Sequence, residues 1–297
     1  MEGHLAVMRT KSMKALATIS TAAEIAGVQW QDFARVIPQR VESMACYGFE
    51  LCIIAPTARS RLNSMQRMWG ASMLGIFPGD PDFNRVAGWK LLVEMGWQGR
   101  LWHRAVVKAL MLEERAALAG WAPLSAVLGH SKEVSGSWLR TAGDLRRLYA
   151  IPAFDRAAAR KAPSRSAARE RLKKYRKECV EPRVFAEAER EVARERAAPS
   201  NALYGVLHPS WGPVAEAVEN HEWGPCTLDD YRAWSRLRVM QHWRTACPVC
   251  GGEGPTAEHI LGEHATPRLP LPAEDSGDGA LWYLRTDLPP ATLRRNI

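Results

Sequence analysis

Two cysteines and two histidines lie close together near the carboxyl end of a chain of 297 residues that has six cysteines in all. Side chains of these two types are the usual ligands of zinc, which takes four of them in a tetrahedron when its role is structural. The sequence therefore predicts one structural Zn²⁺ bound by Cys247, Cys250, His259 and His264. Four protein ligands leave no open position for a substrate, so this metal would support folding and would not catalyse a reaction.

The segments around these ligands predict how the chain positions them. The two-residue gap between Cys247 and Cys250 lets both sulfurs point inward, and the glycines that follow let the chain double back. Thr256 is a suitable N-cap for a helix that carries His259 in its first turn. The eight residues between Cys250 and His259 are too few for a ββα finger, which takes about twelve, so we expect a compact zinc knuckle followed by a helix. The residues that could replace His264 as the fourth ligand are Glu263, Cys226 and His221.

A second group of candidate residues is cationic. Between Arg156 and Arg183 there are eleven Lys or Arg and three Glu, so this segment by itself carries the net charge of +8 of the whole chain. Such a local basic block is typical of a polyanion partner, with a solvated helix as the alternative. We predict contacts with the phosphates of RNA or DNA that do not depend on base sequence. The residues expected to make them are Arg165, Arg169, Arg171, Lys173, Lys174, Arg176, Lys177, Arg232, Arg236, Arg238 and Arg244.

Helical periodicity dominates the sequence, and alternating strand patterns are scarce. We predict a mainly α protein with a multi-helix N-terminal domain over 1–151, a basic helical connector over 152–200, and a helix plus small zinc knuckle over 201–265. A flexible tail is expected over 266–297. The clearest helix begins at Thr57 as N-cap and ends at Gly75. Further helices are predicted over 81–97, 100–120 and 135–151, and two exposed helices are predicted in the connector, which prolines punctuate.

Several classes of protein are disfavoured by composition. No apolar run reaches the ~18 residues that a membrane helix needs, so no membrane partner is predicted. Charged residues interrupt the start of the chain, which argues against a secretory signal, and the few cysteines do not form a disulfide scaffold. The expected location is therefore intracellular, in the nucleus or the cytoplasm. No small-molecule substrate is evident from the sequence.

The zinc motif, together with the helix YRAWSRLRVMQHWR before it, resembles the zinc-binding segment at the carboxyl end of reverse transcriptases of non-LTR retrotransposons. The family order is Cys, a short gap, Cys, seven or eight residues, His with a following apolar pair, four residues, and Cys. Cys247, Cys250 and His259 match this order, and Ile-Leu follows the histidine. His264 stands where the family has Cys, and because zinc accepts either ligand the site is expected to persist.

The stretch ACYGFELCIIAPTARSRLNSMQRMWGASMLGI is similar to the segment that follows the polymerase palm in the same family. The likeness rests on Tyr47, Gly48, Glu50, Gln66, Arg67, Leu74 and Gly75. The metal-binding aspartates of a palm are missing, since the one Asp-Asp pair, Asp229-Asp230, begins a predicted helix and offsets its dipole. The resemblance covers residues 1–76 and 225–265 and implies a non-catalytic, nucleic-acid-binding fragment of retroelement machinery.

Three other functions fit parts of the same sequence. An HNH-type nuclease would use His259 as a general base, but such a site takes a further Asn or His from a second helix, and no histidine follows His264. A helical protein-interaction module with zinc as a staple predicts no salt-dependent binding to nucleic acid. A decayed fragment without a function of its own is the third alternative.

Replacing either Cys247 or Cys250 by serine is predicted to unfold residues 225–265 and to leave the N-terminal helical domain intact. The reason is that a structural zinc contributes about 10–16 kcal/mol to the folding of so small a module. Limited proteolysis and metal analysis of the full chain should show new cleavage sites within this segment and loss of bound zinc. A proteolysis pattern identical to that of the unsubstituted chain would contradict the zinc assignment.

Overall fold

A computed structural model describes residues 2–28, 38–42, 57–80, 83–95, 99–118, 122–134 and 136–197, together with residues 33, 48, 53, 97 and 232. Nine α-helices cover most of these described residues. In chain order they are α1 (Glu2–Ile25), α2 (Ala58–Met73), α3 (Gly88–Glu94), α4 (Leu101–Leu118), α5 (Ala122–Glu133), α6 (Trp138–Leu148), α7 (Arg156–Arg160), α8 (Arg165–Tyr175) and α9 (Glu181–Arg196). Shorter turns are π-helical at Pro38–Glu42 and Arg176–Val180, and 3₁₀-helical at Phe83–Arg85.

No β-strand occurs among the described residues, so the predicted mainly α character is confirmed for that part of the chain. None of the described helices is both long enough and apolar enough to pass through a bilayer. Contacts group the chain into two compact units, the first from residues 1–11, 43–65 and 98–192 and the second from residues 12–42, 66–97 and 193–297. The predicted division into four consecutive ranges stays a prediction, because nearly all residues after 197 lie outside the described part.

Helix α2 begins and ends where the sequence predicts. The backbone N–H of Arg61 and the hydroxyl of Ser60 both donate to the carbonyl of Thr57, which closes the first turn. At the other end Gly75 has a φ of 69°, a conformation that glycine adopts without the steric penalty of a Cβ. The N–H of Ile76 then donates to the carbonyl of Ala71, so the glycine ends the helix in the manner of a C-terminal cap.

In the second unit, α2 packs closely on its neighbours. The buried indole of Trp69 donates from Nε1 to Oγ of the buried Ser12 of α1 at 3.0 Å. Gly70 faces Leu91 of α3, and a Cβ added to Gly70 would lie 3.1 Å from the Cβ of Leu91. Glycine at this position therefore allows the two helices to approach more closely than a larger residue would.

The helix predicted over 81–97 is instead interrupted, since the 3₁₀ turn at Phe83–Arg85 precedes the short helix α3. Arg67 of α2 explains the interruption. Its Nε donates to the carbonyl of Val86 at 2.8 Å, its Nη2 donates to the carbonyl of Phe83, and its guanidinium lies 4.7 Å from the ring of Phe83. A side chain thus satisfies carbonyls that a continuous helix would bond, and Arg67, which the family resemblance includes, here stabilises a turn.

In the first unit, α4 is the central helix. It contacts α5, α6, α7 and the π-helical turn at Arg176–Val180, and its buried residues extend from Leu101 to Glu114. The helices predicted over 100–120 and 135–151 correspond to α4 and α6. Ser137 caps α6, because its Oγ accepts from the N–H of Arg140 at 3.2 Å.

Residues 165–196 form one helical run with a π-helical turn inside it, where the sequence predicts two separate exposed helices. Pro182 lies at the start of α9, and a proline inside a helix clashes with the carbonyl four residues earlier. The wider π-helical turn precedes this position and takes up one extra residue. As a result Tyr175 and Val180, five residues apart, are both buried, and the buried stripe continues through Val184 and Ala188.

Two adjacent carboxylates in the second half of α4 are buried among cations. Glu114, 1% exposed, accepts from Arg146 at 2.6 Å and from Arg156 at 2.6 Å. Glu113 accepts from Arg146 at 2.8 Å and from Arg156 at 3.1 Å, and Nζ of Lys132 lies 3.3 Å from it. Burial alone would raise the pKa of Glu113, but Arg146, Lys132 and Arg156 together lower it. We call these five side chains the acid–arginine cluster, and it joins α4 to α5, α6 and α7.

Tyr175 extends this cluster to α8. Its hydroxyl donates to the carbonyl of Pro152 at 2.6 Å and accepts from Nη1 of Arg146 at 3.1 Å. Phe154 packs on the tyrosine ring, with 5.0 Å between the ring centroids. The loop between α6 and α7 is therefore fixed to α8 by one polar and one aromatic contact.

Glu114→Gln is expected to lower the free energy of unfolding by about 3 kcal/mol, because it leaves the charges of Arg146 and Arg156 partly unpaired in a buried site. The measurement is the urea midpoint followed by circular dichroism. Asp144→Asn is the matched control, since Asp144 pairs with Arg147 on the exposed surface and such pairs contribute less than about 1 kcal/mol. Equal effects of the two substitutions would contradict a stabilising role for the cluster.

Candidate functional site

A groove with a cationic rim and an apolar floor lies between α4 and α8 in the first unit. Its volume is about 610 Å³, which is within the range of ligand-binding clefts. Its floor is formed by Met111, Leu118, Ala168 and Leu172, and its rim by Arg115, Arg165, Arg169, Lys173 and Arg176. No carboxylate is among these lining residues. We refer to it as the basic groove.

Four of the predicted nucleic-acid-binding residues line the basic groove, namely Arg165, Arg169, Lys173 and Arg176. Steps of three or four residues place them in one row along α8 and the start of the π-helical turn, with about 6 Å of rise per four residues. The other three predicted cations of this segment, Arg171, Lys174 and Lys177, belong to the same helical run but do not line the groove.

Arg115 completes the rim from α4, and it is not among the predicted nucleic-acid-binding residues. It follows Glu113 and Glu114 directly, so the sequence around it carries charges of both signs and does not indicate a basic surface. Successive residues of a helix point about 100° apart, and this separates Arg115 from the acid–arginine cluster. The signal that identifies Arg115 is its position beside α8, which is a tertiary contact and not a sequence motif.

Helix caps and one long-range hydrogen bond position the row of cations on α8. Oγ of Ser164 accepts from the N–H of Ala167 at 3.1 Å and caps α8. Oδ1 of Asp155 caps α7 in the same way through Ala158 at 2.8 Å. Arg160 of α7 donates to the carbonyl of Ala117 at the end of α4 at 3.0 Å. The short helix α7 thus connects the two walls of the groove.

Among the residues that the structure describes, few carboxylates neutralise the positive charge at the rim. Lys173 lies 3.7 Å from the exposed Glu170, and Arg176 lies 3.2 Å from Glu181. Within the described residues, no carboxylate lies within 4 Å of Arg115, Arg165 or Arg169. With respect to the described part of the chain, the donors of these three guanidinium groups are available to an anion.

Arg232, a further predicted nucleic-acid-binding residue, contacts protein in the second unit. Its Nε donates to the carbonyl of Met73 at 3.0 Å, and its Nη1 pairs with Glu24. The arginine thus satisfies a carbonyl at the end of α2, and its contact with phosphate stays a prediction. Arg236, Arg238 and Arg244 lie outside the described residues.

All four predicted zinc ligands also lie outside the described residues: Cys247, Cys250, His259 and His264. Within the described part of the chain, no group of three or more His, Cys, Asp or Glu side chains is arranged to hold a metal. The zinc knuckle stays a prediction from the sequence.

A second cluster of titratable groups surrounds His103 of α4. Its ring is fully buried, neither ring nitrogen makes a hydrogen bond, and Nε2 lies 3.8 Å from Oε1 of Glu191. Glu191 pairs with Arg59 and lies 3.7 Å from Arg100. Burial lowers the pKa of His103 from 6.5 to about 4, with Arg59 and Arg100 acting in the same direction and Glu191 opposing. The imidazole of His103 is thus packed inside the first unit, out of contact with solvent.

Comparisons with known protein families, with curated proteins and with solved structures find no match for this chain.

The buried His103 predicts a particular dependence of stability on pH. The unfolded chain binds a proton at this histidine below pH 6.5, whereas the folded chain does so only near pH 4. His103 thus lowers stability progressively between these values, by roughly 3 kcal/mol at the acid end. His103→Leu should remove that part of the pH dependence in urea titrations at pH 7, 6, 5 and 4.

His130→Leu is the matched control, since His130 lies on the exposed surface of α5. It should reproduce the pH dependence of the unsubstituted chain. If His103→Leu and His130→Leu gave the same slope, the neutral buried state of His103 would be refuted.

Proposed function

We propose that this chain binds RNA or DNA through the basic groove and carries out no catalysis there. The observation that carries the proposal is a row of four cations on α8 and the π-helical turn, facing Arg115 across a groove whose described lining residues include no carboxylate. Nucleic acid presents a regular series of negative charges, and each phosphate neutralised by Lys or Arg releases bound counterions. A row of this kind supplies several such contacts at once.

The chemical type of the rim supports phosphate as the group that is bound. Four of the five rim cations are arginines, whose planar guanidinium donates two parallel hydrogen bonds to a phosphate. Contacts of this kind fix the position of a strand without reading its bases. We therefore expect similar affinity for unrelated base sequences.

The resemblance of the zinc motif to reverse transcriptases of non-LTR retrotransposons supports a place in retroelement machinery. In this proposal Cys247, Cys250, His259 and His264 bind one structural Zn²⁺, and the arginines before them add to the nucleic-acid contacts. The sequence lacks the paired aspartates of a polymerase palm, which supports a binding role without polymerisation.

A double substitution of the groove tests the proposal. Arg115→Gln with Arg169→Gln removes two rim cations that have no carboxylate neighbour within the described residues. The affinity for a labelled oligonucleotide should fall by at least about tenfold, equally for unrelated sequences. The slope of log K against log salt should become shallower by about two. Fluorescence anisotropy at several salt concentrations measures both quantities.

The matched control is Lys161→Gln with Arg183→Gln, which removes the same charge from exposed positions of the first unit that do not line the groove. Long-range attraction is lowered equally in both double variants, so the difference between them reports direct contact in the groove. Equal losses would show that the groove is not the contact surface. No binding of the unsubstituted chain at low salt would refute the proposed function as a whole.

A further inference from the structure

The floor of the basic groove is aliphatic, and phosphate contacts do not account for it. Met111 and Leu172 are nearly buried, and Leu118 and Ala168 are half-buried at the bottom of the groove. Apolar surface lowers the free energy of a complex only when a ligand covers it and releases its water. An occupant of this groove therefore has an apolar part as well as negative charges.

We infer that the basic groove selects unpaired nucleic acid over duplex, with bases covering the aliphatic floor and phosphates contacting the rim. This inference rests on the proposed function. In a duplex the bases are stacked inside the helix, and a protein groove of this kind meets the sugar-phosphate surface first. An unpaired strand can turn its base faces toward apolar protein surface while its backbone follows a row of cations.

The charge distribution favours a nucleic-acid strand over an acidic amphipathic peptide. The acidic side chains of a peptide helix seated in the groove would pair with the rim cations alone. Arg171, Lys174 and Lys177 extend the positive surface around α8 beyond the rim, although Lys174 lies 3.9 Å from Glu178. A flexible polyanion can follow that surface out of the groove, so the wider cationic surface contributes to its binding.

The aliphatic character of the floor limits the expected selectivity. Proteins that bind single strands tightly use aromatic side chains for stacking, and this floor has none among its lining residues. A base that packs on Leu, Met and Ala side chains contributes less binding free energy than a base that stacks on an aromatic ring. We expect a preference of about three- to tenfold for an unpaired strand over a duplex of the same sequence.

Three labelled probes separate the contribution of bases from that of charge. The first is a single strand of about twelve nucleotides, a length within the site size of single-strand binders. The second is the blunt duplex of the same sequence, and the third is an abasic chain with the same number of phosphates. The 297-residue protein should bind the single strand most tightly, and the abasic probe should show the same salt slope with lower affinity.

Leu118→Ser tests the floor directly. Leu118 is the last residue of α4 and lines the groove, whereas Leu148 is the last residue of α6, 74% exposed and outside the lining. Leu118→Ser should remove most of the preference for the single strand over the abasic chain, and Leu148→Ser should keep it. Ala168→Gln is a second floor variant that keeps a good helix former at the position, in case Leu118→Ser fails to fold.

The outcomes separate this inference from the proposed function. Equal affinity for all three probes, with binding still lost in the Arg115 and Arg169 double variant, would overturn the inference and leave nucleic-acid binding in place. No binding of any probe would overturn both. Tighter groove-dependent binding of an acidic amphipathic peptide of equal charge would replace nucleic acid by a protein partner.

Discussion

The buried pair Glu113 and Glu114 is the constraint on which the first unit depends. Two neighbouring carboxylates removed from water cost several kcal/mol each in desolvation, and they also repel one another. Arg146 and Arg156 offset both terms by contacting both carboxylates, and hydrogen bonds to Glu114 raise the pKa of Arg156. Because the two arginines belong to different helices, α4, α6 and α7 are held in one arrangement. Tyr175 of α8 contacts Arg146 and the carbonyl of Pro152, and these contacts hold α8 against the same helices.

The same cluster also determines the charge of the basic groove. Helix α4 carries Glu113, Glu114 and Arg115 in succession, so in the unfolded chain the two carboxylates outweigh the single guanidinium. In the folded unit the two carboxylates are buried among Arg146, Arg156 and Lys132, while Arg115 reaches the rim of the groove. Folding thus separates charges that are adjacent in sequence. The rim of the groove therefore carries Arg115 without the two carboxylates that precede it in the sequence.

Periodicity and caps made α2, α4 and α6 predictable, because Thr57, Gly75 and the apolar stripes are local signals. Residues 165–196 were harder to predict. The extra residue of the π-helical turn shifts the positions of the buried apolar residues that follow it. A search for a 3.6-residue period therefore does not recognise the run as one continuous helix. Charge composition identified the groove cations of α8. It could not identify Arg115 or the acid–arginine cluster, since those depend on contacts between residues far apart in the sequence, such as Arg146 and Glu113, which are 33 positions apart.

Charge and apolar surface contribute differently to binding in such a groove. Counterion release supplies an attraction that weakens steeply as salt concentration rises, whatever the base sequence. Burial of bases on Leu118, Ala168 and their neighbours is an apolar contribution, which salt screening does not diminish. In the proposed complex, rim cations therefore set the affinity and the floor sets the choice between unpaired and paired strands. As ionic strength increases, the apolar contribution of the floor therefore forms a growing share of the binding free energy. The preference for an unpaired strand persists at salt concentrations that weaken the attraction of the cationic rim.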